Sequence, residues 1–169
     1  MNQSHVRKTV YMSMFIALEV ILTRFLSIHT PIVRIGFTFL PIAISAIMFG
    51  PIYSGIAAAL ADIVGMMLFP TGGSFFPGFT LTAFLIGYIY GFFLYKKTIA
   101  FKQITIAVIV STIVTLGLDT VWIWIITGQG ILAILPARII KCIIMAPIQV
   151  TMIQVMWRYV IGRLNLNYI

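Results

Sequence analysis

Seven ionisable side chains stand inside or at the ends of strongly apolar stretches: the acids Glu19, Asp62 and Asp119, and the bases Arg24, Arg34, Arg138 and Lys141. A charge at the centre of a membrane helix costs about 2.5–3.5 kcal/mol even on the gentler insertion scale, so such groups face a bundle interior or water and mark function by default. Arginine grips a carboxylate or phosphate through two parallel hydrogen bonds, and lysine supplies a point charge. Arg138 and Lys141 lie one helical turn apart, which puts two cations on one face. The chemistry these bases suit is capture of an anion. Internal pairing is the competing reading: Asp62 and Asp119 offset two of the bases, and Glu19, one turn before Thr23 and Arg24, offsets a third. One base is then left over, and the capture reading is the one carried forward.

Thr112, Thr115, Asp119 and Trp122 follow helical spacing on one face. An aromatic ring beside a carboxylate suits a flat heterocycle with adjacent N–H donors, which stacks on the ring and donates to the acid; an interfacial Trp beside a structural Asp is the plain alternative. Trp124 points elsewhere, as a lipid or interface anchor. A second aromatic feature is Phe69-Pro-Thr-Gly-Gly-Ser-Phe-Phe-Pro-Gly-Phe-Thr80, a Gly/Pro-rich break between apolar runs. Its Phe75 and Phe76 fit either a lid over a pocket or anchors at headgroup level.

The elements that position these residues follow from composition. The chain has 169 residues, 62% hydrophobic and 8% charged, with mean hydropathy +1.13. Soluble globular chains carry about 25% charged residues, so this one is dissolved in lipid. A spanning helix needs roughly 20 apolar residues, which allows about six spans. The expected architecture is all-α, an integral membrane bundle of six transmembrane helices, with residues 1–169 forming one membrane domain. The spans are Val10–Ser27, Gly36–Phe49 (short for a crossing), Ile52–Phe69, Phe79–Tyr95, Ile104–Ile126 and Ile131–Ile161, the last beginning its helix proper near Pro136. Ile28–Ile35 is expected to be an irregular connection, and Gly50-Pro51 a sharp turn. Arg7 and Lys8, then Lys96, Lys97 and Lys102, then Arg158 and Arg163 fall on one side of a six-span bundle, which makes both termini cytoplasmic. Arg24, Arg34, Arg138 and Lys141 are left on the outside, where insertion gives them no role.

Other classes are excluded on specifics. Eleven Lys/Arg against three acids give net charge +8, but the bases are scattered at helix ends and no basic helix suited to nucleic acid appears. The N-terminus resembles a signal peptide without a small-x-small cleavage site, so it is expected to stay as the first span. Cys142 has no partner cysteine, and His29 has no second ligand nearby, so neither a disulfide nor a metal site is expected. Leu116-Gly-Leu-Asp119 is not the Gly-x-Gly-Asp of an intramembrane aspartyl protease, and no His-Glu-x-x-His, Gly-x-Ser-x-Gly or Gly-x-x-x-x-Gly-Lys-[Ser/Thr] occurs. No enzyme chemistry and no resident cofactor are expected, and uphill work would need a partner or an ion gradient. Small residues at Gly87/Gly91, at Gly55, Ala58 and Ala59, and at Ser13/Ala17 favour close helix packing.

Arg34-Ile-Gly-Phe-Thr-Phe-Leu-Pro-Ile, Phe49-Gly-Pro-Ile-Tyr-Ser-Gly, Ala61-Asp-Ile-Val-Gly and the Phe69–Thr80 stretch resemble the substrate-binding S components of bacterial energy-coupling factor transporters. The folate-specific group is the nearest in pattern, with Ala137-Arg-Ile-Ile-Lys141 in support. The resemblance implies a bundle in the bacterial cell membrane that takes up a vitamin from outside. It also implies a transmembrane coupling subunit and two cytoplasmic ABC ATPases as partners, and a subunit that topples in the membrane to release its cargo. The family's Ala-x-x-x-Ala docking signature falls at Ser13 and Ala17, with a small Ser at the first position. In this reading the pterin of folate stacks on Trp122 or Phe76 and pairs with Asp62 or Asp119. Arg24, Arg34, Arg138 and Lys141 receive the glutamate carboxylates, and Phe75 and Phe76 close the lid. An S component for pantothenate or riboflavin, and a scaffold subunit that binds no ligand, are the alternatives.

Overall fold

A computed structural model describes residues 3–29, 34–69, 75–96, 100–128 and 130–159. Six helices are present among them: α1 (Gln3–Arg24), α2 (Phe39–Phe49), α3 (Pro51–Leu68), α4 (Pro77–Leu94), α5 (Phe101–Thr127) and α6 (Ile131–Tyr159). The last four are long and apolar enough to cross a membrane. α1 has the length but carries Arg7, Lys8, Glu19 and Arg24.

α2 accounts for the arrangement of the rest. Its 11 residues rise only about 16 Å, half a hydrocarbon core. A helix this apolar and this short is stable when neighbours cover it on every side. It packs against α1, α3, α4 and α6, while α1, α3, α4, α5 and α6 follow one another around it. The expected short second span is thus the central plug of the bundle. Phe39, Ile42, Ala43, Ala46 and Ile47 of α2 pack with Tyr90 and Leu94 of α4, Ile104, Ala107 and Val108 of α5, and Met145, Val150 and Ile153 of α6. Leu94, Ile104 and Ile153 lie toward the end of the bundle that also carries Lys96, Lys102 and Arg158, whereas Phe39 follows Thr38, which meets Thr23 near the end of α1.

Two expectations need correction. The connection Ile28–Ile35 is not irregular throughout: β1 (Ser27–His29) pairs antiparallel with β2 (Arg34–Gly36), in the register Ser27↔Gly36, Ile28↔Ile35 and His29↔Arg34. Gly36 is required there, because a Cβ would lie 2.5 Å from that of Ser27. Ser27 Oγ also donates to the Thr23 carbonyl, and the Thr23 and Thr38 hydroxyls meet at 3.1 Å, tying the end of α1 to the start of α2. The second correction is α6, which is helical from Ile131 and does not begin near Pro136. Pro136 forfeits a single backbone bond in the second turn, and Ala133 N donating to Gly130 O at 2.9 Å closes the turn before it. Lys97, Arg163 and the lid residues 70–74 lie outside the described residues.

α3 and α4 make the tightest seam. Gly50 takes φ +88 at the turn into α3, and Pro51 occupies the first helical position, where its missing N–H costs nothing. The Gly87–Gly91 pair then lies directly on that turn. A Cβ at Gly91 would be 2.3 Å from Pro51 Cα, and one at Gly87 would be 2.6 Å from the Ser54 carbonyl oxygen.

Candidate functional site

The ionisable residues of interest gather at the other end. Arg24 ends α1, Arg34 opens β2, Asp62 lies in the second half of α3, Asp119 and Trp122 lie near the end of α5, and Arg138 and Lys141 are in the first half of α6. Alternating helix directions bring these segments to one end of the bundle. The first turns of α4 stand between them and join the two halves. Thr80 and Thr82 are about 200° apart around the α4 axis, so one faces α3 and the other α5. Thr80 Oγ1 donates to Asp62 Oδ2 at 2.8 Å, and Trp122 Nε1 donates to Thr82 Oγ1 at 3.1 Å.

On the α5–α6 side, Arg138 Nη2 lies 3.2 Å from Asp119 Oδ2. Arg138 is only 5% exposed, so its charge is held in a poorly solvated setting where a carboxylate partner matters. Lys141 lies close enough for its charge to act on Asp119 as well. Asp119 Oδ1 is buried and has no hydrogen-bond partner among the described residues. An open acceptor therefore sits beside a neutralised one on the same carboxylate.

Trp122, one turn beyond Asp119, meets Phe76 with ring centroids 5.6 Å apart and a 51° interplanar angle, and Phe76 meets Phe79 at 6.1 Å. These rings press on the start of α4 because position 78 has no side chain. A Cβ at Gly78 would lie 2.6 Å from Trp122 Cδ2 and 2.5 Å from Phe76 Cε1. Gly78→Ala is therefore expected to displace the indole, seen as a shift in tryptophan emission, and to weaken ligand binding by roughly tenfold. Phe75 is exposed. Trp124 is also exposed, as an anchor would be. Thr115 turns its hydroxyl onto the Ser111 carbonyl at 2.7 Å, within its own helix.

On the α1–α3 side, Arg24 is 7% exposed. Its Nε would be 2.9 Å from a Cβ at residue 65, so Gly65 is what lets the guanidinium lie on α3. Phe25 and Phe69 meet edge to face at 5.1 Å just beyond it. Glu19 is 1% exposed, and its Oε1 has no hydrogen-bond partner among the described residues. Asp62 and Asp119 are on opposite sides of α4, each with its own neighbours. Sequence reasoning missed Gly65, Gly78, Thr80 and Thr82, because Gly and Thr are ordinary in membrane helices and only their neighbours distinguish them.

α1 and α3 also leave an apolar groove of about 350 Å³ between them. Ser13 and Ala17 line it with Ile16, Val20, Val64 and Leu68. Ser13 Oγ donates to the Thr9 carbonyl at 2.9 Å, so its hydroxyl is satisfied within the helix and the residue behaves as a small one.

Known proteins share this sequence pattern and fold. Residues 7–156 match the family described as ECF transporter, substrate-specific component. A protein of Clostridium novyi (strain NT) named folate transporter FolT is 46% identical over 152 residues, covering 89% of this chain and 88% of that one. A second folate transporter FolT, from Leuconostoc mesenteroides subsp. mesenteroides, is 33% identical over 152 residues, covering 85% and 80%. The crystal structure of FolT bound with folic acid matches with TM-score 0.84 at 37% identity, over 90% of this chain and 92% of that one. A buried cation–carboxylate pair, an aromatic platform and a six-helix membrane fold are thus found in a chain that belongs to the family of substrate-specific components of ECF transporters.

Proposed function

We propose that this chain is the folate-binding subunit of an ECF-type vitamin uptake transporter in a bacterial cell membrane, a binding protein and not an enzyme. The observation that carries the reading is Asp119 with Oδ2 on Arg138 and Oδ1 open, one turn from the Trp122–Phe76 ring pair. A pterin presents neighbouring N–H donors at the edge of a flat ring, which suits an open carboxylate oxygen beside an aromatic face. Folate's other end carries two glutamate carboxylates. Arg24 and Arg34 supply cations for them, Arg138 and Lys141 stay with the Asp119 carboxylate that takes the pterin, and Asp62, held by Thr80, completes the polar lining. Phe75 and Phe76 close over the bound vitamin.

The orientation follows from charge. The opposite end of the bundle holds Arg7, Lys8, Lys96, Lys102 and Arg158, and cytoplasmic ends are rich in such residues. Both termini then face the cytoplasm, and the site opens to the outside. Residues 1–169 act as one membrane unit. The groove at Ser13 and Ala17 is where a transmembrane coupling subunit docks, because small residues permit close backbone approach. Two cytoplasmic ABC ATPases supply the energy through that subunit.

Calorimetry of the detergent-solubilised protein with folate, and with pantothenate and riboflavin as controls, tests the reading. Selective folate binding is expected, with a stabilisation of roughly 2.7 kcal/mol at 100 times the dissociation constant. Binding of a control vitamin instead would keep the transporter class and discard folate. Folded protein with no thermal shift for any of the three would favour the scaffold alternative.

A further inference from the structure

Thr82 is a polar side chain buried to 2% exposure, and no charge pattern or motif draws attention to it. Its Oγ1 accepts the indole N–H of Trp122 at 3.1 Å and donates to the Gly78 carbonyl at 3.2 Å. The same side chain lies beside Asp119. One hydroxyl on α4 therefore touches both the ring and the neighbourhood of the acid that the heterocycle would use.

The consequences follow from what each group can donate. An indole N–H is a donor only, and the torsion that turns a Trp ring is broad unless something holds the ring edge. Thr82 supplies that hold, with Phe76 bracing one side of the ring and the bare Cα of Gly78 admitting it. A hydroxyl also has a single proton to give. Here the proton has two acceptors in reach, the Gly78 carbonyl at 3.2 Å and the Asp119 carboxylate, while Asp119 Oδ1 has no hydrogen-bond partner among the described residues.

We propose that Thr82 is a positioning residue that sets the selectivity of this site for a ring with neighbouring N–H donors, by fixing the Trp122 indole beside the Asp119 carboxylate. The proposal rests on the assignment of Asp119 and Trp122 to the heterocycle end. Arg24 and Arg34, away from Asp119 and Trp122, read the anionic tail whatever occupies position 82. The residue therefore acts on one end of the ligand only, and a general helix–helix contact would not divide its effects in this way.

The test uses the full chain with Trp124→Phe and Trp157→Phe, which leaves Trp122 as the single tryptophan. In this background Thr82→Val removes the hydroxyl at nearly constant shape, and Thr82→Ser keeps it. Two readouts are taken: the ultraviolet resonance Raman marker of indole N–H hydrogen bonding without ligand, and affinities for folate and for its p-aminobenzoyl-glutamate fragment, which has the tail and no pterin. The expected result is loss of the indole hydrogen bond and a roughly tenfold loss of folate affinity in Thr82→Val. Affinity for the fragment is unchanged, and Thr82→Ser restores both signals. Equal weakening of folate and fragment would overturn the proposal, as would unchanged folate affinity despite loss of the indole bond. Failure of the unsubstituted background to bind folate would instead count against the folate reading, and the ligand-free spectrum would still decide whether Thr82 holds the ring.

Discussion

Arg138→Ala is expected to lower folate affinity at least about a hundredfold, or roughly 3 kcal/mol. The guanidinium is nearly inaccessible to water and holds Asp119 Oδ2, so its removal strands a carboxylate that was paired and frees the acceptor that meets the pterin to move. The two effects can be separated. Adding Asp119→Asn removes the stranded charge and should recover thermal stability without recovering affinity, because an amide offers one acceptor oxygen where the pterin needs a carboxylate. Recovery of both would mean that Asp119 does not meet the pterin. Lys141→Ala, which leaves the Arg138–Asp119 pair intact, should weaken binding with little change in melting temperature. Unchanged affinity in Arg138→Ala and Lys141→Ala alike would sink the assignment of Asp119 and its cations to the ligand. Calorimetry paired with thermal melts makes each of these measurements.

The second large effect is expected at the α3–α4 seam. Gly87→Ala and Gly91→Ala place methyl groups 2.6 Å from the Ser54 carbonyl oxygen and 2.3 Å from Pro51 Cα. Those obstacles are backbone atoms of a helix and its turn, which cannot swing aside as a side chain does. The helices must separate, at about 1–3 kcal/mol for each overpacked position. α4 also carries Thr80 to Asp62 and Thr82 to Trp122. The double variant should therefore lose folate affinity as well as melting temperature, although both substitutions lie far down α4 from the ligand. A double variant that melts like the parent would refute the close approach.

The parts of this molecule that could be read from residues alone are those where a residue type is expensive in its setting. Arg24, Asp62, Asp119, Arg138 and Lys141 are conspicuous in an apolar chain, because each needs a reason to be there. Their gathering at one end follows from counting spans. The pairing of Arg138 with Asp119 needs the packing of α6 on α5, which no periodicity supplies. α2 was legible as apolar and short, but a lipid-facing helix and a helix buried on every side have the same composition, so its central place was not. The β1–β2 hairpin was hidden by Pro31, which reads as a strand breaker, and its close Ser27–Gly36 crossing is visible only in three dimensions. Thr82 carries no signal in a chain rich in such residues, and Gly65 and Gly78 stand within the resemblance motifs without any sign of what they touch. What makes them important is the group that each one touches.

The half-length α2 has a further consequence. It ends at Gly50 against Tyr95, next to Leu94, which like Ile104 is fully buried, whereas its start is tied in by a hydroxyl contact, Thr23 to Thr38, and the short β1–β2 ladder. One end of the protein is thus closed by packed apolar side chains, and the other by a few polar links. Local stability must be graded along the axis in the same way. Opening fluctuations that cost nearly the whole unfolding free energy near Ile104 become inexpensive toward Asp119 and the β hairpin. A bound ligand at that end is therefore expected to change most how firmly the β ladder and the Asp119 region hold their shape, and least the packed end beside Leu94.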